Sequence, residues 1–275
     1  MCERQGWLRR AMSGALVLLA VCWHSVGLAA RYPAQCEKGG HWPEHRVYKV
    51  IDGDTLKLAD GRTVRVLGLN APELPNRGRR GEPLASEARS ALAQLVGNSV
   101  RLRLGQVKLD KHDRWLAHIY NEKGLNIAAV MLMNGYGFQV VQAPEDYGAS
   151  CYQASESLAK KAKKGVWREA AYRPVPIAEA SALRSGFQRI QGSIEKISIA
   201  RSSVWIDLKG DTTLYIPPEA KAFFAGALST SLLDDAVVAQ GWVVDRYANK
   251  RRKKNIPKRW MMILTHPNMV KFSKR

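Results

Sequence analysis

From His45 to Trp167 the apolar positions follow two rhythms. Residues 46–50, 55–58 and 63–69 alternate or run apolar, with the turn pairs Asp52-Gly53 and Asp60-Gly61 between them. That is the pattern of a β-meander. Residues 83–96 switch to helical spacing. Leu84, Ala88, Ala91, Leu92 and Leu95 share one side, Pro83 stands near the start and Gly97 at the end. Strand signals resume at 99–104 and 115–120. Asn126 is placed to cap a short helix over 127–134, stopped by Gly135, and a third helix over 152–163 ends in lysines that suit its dipole. Five strands with helices between them is the count of a small Greek-key barrel.

Tyr172-Arg173-Pro174-Val175-Pro176 has the composition of a linker. Strand signals return at 188–199, 204–208, 213–216, 237–244 and 261–264, with a helical segment over 219–228 after Pro217-Pro218. The expected division is a leader over 1–30, an extension over 31–44, a first domain over 45–171, a linker over 172–185 and a second, smaller barrel over 186–275. Lys250-Arg251-Arg252-Lys253-Lys254 falls between two of the later strands, flanked by Trp242, Tyr247 and Trp260. Single-strand binders combine stacking and charge in this way; the same aromatics can equally be core.

Composition adds compartment and partner. An apolar fraction of 46% in 275 residues allows real cores, and the formal charge is +19. The first thirty residues hold Glu3 against Arg4, Arg9 and Arg10, so removing them leaves +17. A chain this basic attracts polyanions, of which DNA and RNA are the commonest large ones. Arg9 and Arg10, the apolar run 11–23 and the small residues around Ala29-Ala30 read as an export signal. The run is shorter than a spanning helix, so a periplasmic or secreted protein with no membrane segment after cleavage is expected. Cleavage leaves Cys36 and Cys151, which an oxidising compartment favours pairing; the alternative is two inert thiols. A monomer is expected.

The chemistry concentrates in Val50-Ile51-Asp52-Gly53-Asp54-Thr55 and Arg65-Val66-Leu67-Gly68-Leu69-Asn70-Ala71-Pro72-Glu73. Asp54 and Asp52 offer hard oxygen ligands for a divalent ion, Asn70 an amide oxygen and Ala71 a backbone carbonyl. Arg65 can hold a phosphate bidentately, and Glu73, on the turn set by Pro72, can orient or deprotonate water. In Asp110-Lys111-His112-Asp113-Arg114, Arg114 supplies a second guanidinium and Lys111 can meet a neighbouring phosphate. Asp-Gly is also an ordinary turn and Arg65 an ordinary strand residue. His41, His45 and His118 add up to no site, and no nucleophilic serine, thiol site or Gly-rich phosphate loop is present.

These three motifs, in this order and spacing and closed by Lys163-Lys164-Gly165-Val166-Trp167, resemble the staphylococcal (micrococcal, thermonuclease) nuclease family. The resemblance spans about residues 47–167. It implies a mainly β fold with α: a five-stranded barrel of the oligonucleotide-binding (OB) type carrying three helices, to which the second OB-like barrel is added. It also implies a Ca²⁺-dependent phosphodiesterase, an endonuclease acting on DNA and RNA. Position by position, it makes Asp54 the principal calcium ligand with Asp52 in support. Arg65 and Arg114 become the phosphate clamp, and Glu73 the carboxylate that positions water. Asn70 stands where the family has a second aspartate ligand, which leaves the choice of divalent cation open. Val141 and Ala143 stand near the family's nucleotide-contacting tyrosines, and His112 replaces a tyrosine beside Lys111. Arg77, Arg79 and Arg80 can supply compensating phosphate contacts.

Overall fold

The computed structural model describes residues 32–33, 36–37, 39–76, 78–248 and 257–274. The leader with Cys2 and Cys22, Arg77 and the basic run 250–254 lie outside these residues. The first barrel is built from β1 (Glu44–Val50), β2 (Thr55–Leu58) and β3 (Thr63–Val66). After β4 (Leu69–Asn70) and the helix α1 (Ala85–Val96), β5 (Ser99–Leu109) and β6 (Trp115–Tyr120) complete it. The ring closes in the order β1-β2-β3-β6-β5; β3 and β6 run parallel, and the other pairs antiparallel. The helix α2 (Ile127–Met133), the short strand β7 (Phe138–Gln139) and the helix α3 (Ala149–Lys161) follow. β7 pairs with β4, which sets Asn70 opposite Phe138.

Ala85, Ala88, Leu92 and Val96 form the buried stripe of α1, and Asn126 accepts the N–H of Ala129 as the cap of α2. Two glycines let elements approach. A Cβ on Gly53 would lie 2.6 Å from Ala71 Cβ and 2.8 Å from Ala88 Cβ, so the Asp52–Thr55 turn sits directly on α1. Gly68 has φ +87°, and a Cβ there would fall 2.1 Å from the Tyr152 ring. Cys36 and Cys151 are joined as a disulfide that ties the N-terminal segment to α3.

The later strands are β8 (Val175–Pro176), β9 (Gly186–Ile199), β10 (Val204–Leu208), β11 (Thr212–Ile216), β12 (Ala236–Asp245), β13 (Trp260–Ile263) and β14 (Val270–Ser273). A β9–β12 pairing closes a second five-stranded ring, β9-β10-β11-β13-β12, with β8 and β14 on its margins. Its β11–β13 pair is parallel, so both rings share one strand order, first-second-third-fifth-fourth. The segment expected to be helical over 219–228 is a 3₁₀ turn, Pro218–Phe224. Trp260 is buried in this second core.

The barrels belong to one compact unit. Within residues 172–185, expected as a linker, Ile177 and Leu183 are buried in the second core, and Tyr172 donates its hydroxyl to the Pro83 carbonyl at 2.7 Å. At the seam the buried Gln240 of β12 donates its Nε2 to the Gln139 carbonyl (3.0 Å) and to Glu156 Oε1 (3.1 Å). Thr265 Oγ1 donates to the Val141 carbonyl, and Asn268 Nδ2 to that of Ala149 at 3.1 Å. Phe138 meets Phe187 with ring centroids 5.2 Å apart. Among the described residues no helix is long and apolar enough to cross a membrane.

A buried polar network braces the first barrel behind the β5–β6 hairpin. His118 Nδ1 lies 2.5 Å from Tyr152 Oη, which also accepts from Asn126 Nδ2. Burial lowers the His118 pKa against the pull of Glu145, whose Oε1 lies 3.8 Å from its Nε2. Glu145 accepts the N–H groups of Gln106 (2.8 Å) and Tyr147 (3.0 Å). Burial would push its carboxyl up, but His118 and these two N–H groups hold it at about 2. A carboxylate depressed on folding contributes stability above its unfolded value of about 4.3, lost as pH falls toward the folded one. Glu145→Gln is therefore expected to cost roughly 2–3 kcal/mol at neutral pH and to flatten the loss of stability between the two pKa values. Urea midpoints across that pH range would show it; parallel curves for variant and parent would contradict it.

Candidate active site

The turn between β1 and β2 presents both aspartates. Asp52 accepts the N–H of Asp54 at 2.9 Å, which folds the turn back on itself. Asp54 is 3% exposed. Its Oδ1 accepts from Thr55 Oγ1 (2.9 Å) and Arg65 Nη1 (2.5 Å), and its Oδ2 from the N–H of Ala71 (3.1 Å). Arg65 projects from β3, and its Nη2 donates to Asn70 Oδ1 at 3.3 Å. Each terminal nitrogen has a second N–H, so a phosphate can still be gripped. Glu73 is exposed on the loop after β4; its N–H donates to Glu82 Oε2 (3.0 Å), and its carbonyl accepts the Glu82 N–H (2.8 Å).

Electrostatics single out this corner. Burial first, and then the neighbouring Asp54, push the Asp52 carboxyl up to about 6. Glu73, although its side chain reaches the surface, is raised first by partial desolvation and then by Asp54 and Asp52. Asp52 and Glu73, each raised in part by its carboxylate neighbours, stand with Asp54 around a single arginine and leave this corner with surplus negative charge on oxygen. That is the chemistry a hard divalent cation satisfies. Among the described residues no three His, Cys, Asp or Glu side chains converge as a ready-made metal cluster. An ion here would be held by Asp54, with Asp52, the Asn70 amide and the Ala71 carbonyl as further donors.

The second guanidinium comes from the turn between β5 and β6. Asp110 Oδ1 accepts the N–H groups of His112 (2.8 Å) and Arg114 (3.0 Å), and Asp113 takes left-handed backbone at φ 57°. Asp110 Oδ2 then accepts Arg114 Nε at 2.7 Å. Burial opposes ionisation of Asp110, but these bonds hold its carboxyl below the usual range. Arg114 is thus gripped along one edge.

Arg65, Asn70, Glu73, Lys111, His112 and Arg114 line one cavity of about 710 Å³. Asp52, Asp54 and Ala71 are not among its lining residues; Asp54 is tied to the lining residue Arg65, and Ala71 to Asp54. Arg79 and Arg80 are exposed on the 73–82 loop, where Asn76 and Arg79 bridge each other, and they do not line the cavity either.

Residues 63–169 match the family model described as staphylococcal nuclease homologue. The chain carries a staphylococcal-nuclease-like domain. The match begins at β3, while the first barrel also uses β1 and β2, whose connecting turn carries Asp52 and Asp54. The chain is similar to proteins named probable endonuclease LCL3. One, from Schizophyllum commune, is 29% identical over 143 residues, 47% of this chain and 48% of that protein. Another, from Phaeosphaeria nodorum, is 33% identical over 110 residues, 38% of this chain and 37% of that protein. A third, from Coccidioides posadasii, is 32% identical over 115 residues, 38% and 36% respectively. The chain thus spans less than half the length of these relatives.

Asp110, Glu82 and side chains from the second barrel also shape this site. Asp110 holds Arg114, and the legible signal was an aspartate four residues before an arginine across a polar turn. Glu82 fixes the backbone of Glu73. Trp242, Ile263 and Thr265 line the cavity from the second barrel; no local pattern announces a contact made across so long a stretch of chain.

Proposed function

We propose that this protein is an exported nuclease that hydrolyses phosphodiester bonds of DNA or RNA with the help of Ca²⁺. The observation that carries this reading is the convergence of Arg65, Glu73 and Arg114 on one cavity. Phosphodiester hydrolysis brings a nucleophile to an anionic centre, so it needs positive charge on the non-bridging oxygens and an activated water. Arg114, steadied by Asp110, and Arg65 supply the charge. Glu73, with its raised proton affinity, positions the water and takes its proton as the new P–O bond forms. The opposite P–O ester bond breaks, and the leaving oxygen is protonated from solvent. Bound calcium would neutralise phosphate charge as a Lewis acid beside Asp54.

The test is digestion of plasmid DNA and RNA by the purified protein lacking residues 1–30, with Ca²⁺, with other divalent ions and with chelator. Chelator-sensitive cleavage is expected. Binding without cleavage across all the ions would overturn the reading in favour of a nucleic-acid-binding module.

Asn70 makes a finer expectation. With an amide at this position the ligand set has one negative charge fewer, and charge count tunes calcium affinity. Asn70→Asp is therefore expected to lower the Ca²⁺ concentration for half-maximal rate by about tenfold, corresponding to roughly one charge-assisted contact. A calcium titration of both proteins decides; an unchanged or higher requirement would reject this account.

A further inference from the structure

The second barrel is not a remote appendage of the cavity; it forms part of its wall. Trp242 of β12 and Ile263 of β13 line the same space as Arg65, Glu73 and Arg114. Resting on the nuclease reading above, we propose that Trp242, backed by Ile263, is the platform for a nucleobase adjoining the phosphate that is cut.

Three observations lead there. The first is chemical. Besides its charged groups, the cavity is lined by the apolar side chains of Leu67, Val107, Leu109, Leu116 and Ile263 and by the Trp242 indole. A phosphate or a hydrated cation gains nothing from such a surface, whereas the flat face of a base does. Trp242 and His112 are the only rings among the described lining residues, and the stretch beyond β7 contributes Gln142, Ala143 and Glu145, none of them aromatic. The large aromatic surface of the cavity therefore comes from the other barrel.

The second observation is that the indole is held. Trp242 is half-buried, and the Phe187 ring meets it edge-on with centroids 5.5 Å apart. Phe187 in turn packs on Phe138 of the nuclease domain at 5.2 Å. A ring fixed this way gives up little rotamer freedom when a base stacks on it.

The third concerns placement across the seam. Strand side chains alternate, so Gln240 and Trp242 share one face of β12. Gln240, 5% exposed, is bonded to the Gln139 carbonyl and to Glu156. Thr265, two residues beyond Ile263, is bonded to the Val141 carbonyl. Each platform residue thus stands two positions from an anchor on the nuclease domain, which sets its location relative to Arg65 and Arg114.

The experiment uses the full chain without residues 1–30 and two single-stranded oligodeoxynucleotides of identical sequence. One has every base; the other carries an abasic residue beside the cleaved linkage. Parent, Trp242→Ala and Trp242→Phe are compared for kcat and KM, with binding followed by fluorescence anisotropy in parallel. On the intact strand Trp242→Ala is expected to raise KM and Kd by about ten- to a hundredfold, the worth of one stacked base. Its kcat is expected to change less than about threefold, because uniform binding is lost without loss of transition-state contacts. Trp242→Phe is expected to recover most of the loss. The parent is expected to lose the same factor on the abasic strand, and Trp242→Ala to lose nothing further there. Equal losses for Trp242→Ala on both strands would reveal damage to the fold and overturn the platform, as would an unchanged KM. Should the parent bind but cut neither strand, the nuclease reading fails, while the anisotropy ratio between the two strands still decides the platform.

Discussion

Arg114→Ala is expected to lower kcat/KM for DNA hydrolysis by about a thousandfold or more, the range for an arginine that stabilises phosphoryl-transfer charge. The loss should fall mainly on kcat. Arg114 is held by Asp110 through Nε and through the turn that Asp110 itself closes, so its position is set before substrate arrives. A group placed in advance at the point where charge develops is worth most in the transition state. Arg114→Lys is expected to recover less than a tenth of the lost rate. A compact ammonium reproduces neither the fork nor the Nε contact to Asp110. Initial rates at saturating DNA, with circular dichroism to confirm folding, would check it. An alanine variant keeping more than about a tenth of the parent kcat would be incompatible with this role.

Severing the Cys36–Cys151 link is expected to have the largest effect on stability. The two residues are 115 positions apart, and closing a loop of that length removes about 4–5 kcal/mol of freedom from the unfolded chain in the entropy model. Both cysteines are buried, on Tyr152's helix and on the segment that runs against it. The double Cys→Ser variant is expected to lose about 4 kcal/mol, a melting temperature lower by roughly 8–16 °C for a protein of this size. Calorimetry of parent, reduced parent and variant would measure it. A melting temperature unmoved by reduction would show that the link adds nothing to folding.

What could be seen in the chain, and what could not, divides by the range of the interaction. Asp52-Gly53-Asp54 announced a turn because its determinants lie within four residues, and the close approach to Ala71 and Ala88 gives Gly53 a reason beyond turn chemistry. The buried stripe of α1 and the Asn126 cap were legible for the same reason. The third helix was placed over 152–163, whereas it runs from Ala149 to Lys161 behind a left-handed Gly148; glycine marks such a boundary only once its φ is known. Leu84, read as part of the α1 stripe, is the residue before the helix, at φ 67°. The linker reading of 172–185 followed from its prolines, but Ile177 and Leu183 find burial in the second barrel. Of the aromatics flanking the basic run, Trp260 is core and Trp242 faces the cavity. Alternation along a strand cannot tell a seam from a surface.

The bonds that Gln240 makes to Gln139 and Glu156 carry a consequence for where the first barrel could be cut away from the second. Glu156 is 3% exposed and accepts at once from the Gln139 N–H, Lys160 and Gln240. A chain ended after residue 171 would uncover that carboxylate together with Phe138, and would open one side of the cavity to bulk water. The family match stops at residue 169, yet the wall of the cavity continues nearly a hundred residues later, to Thr265. Homology and mechanical completeness therefore mark different ends of the same machine.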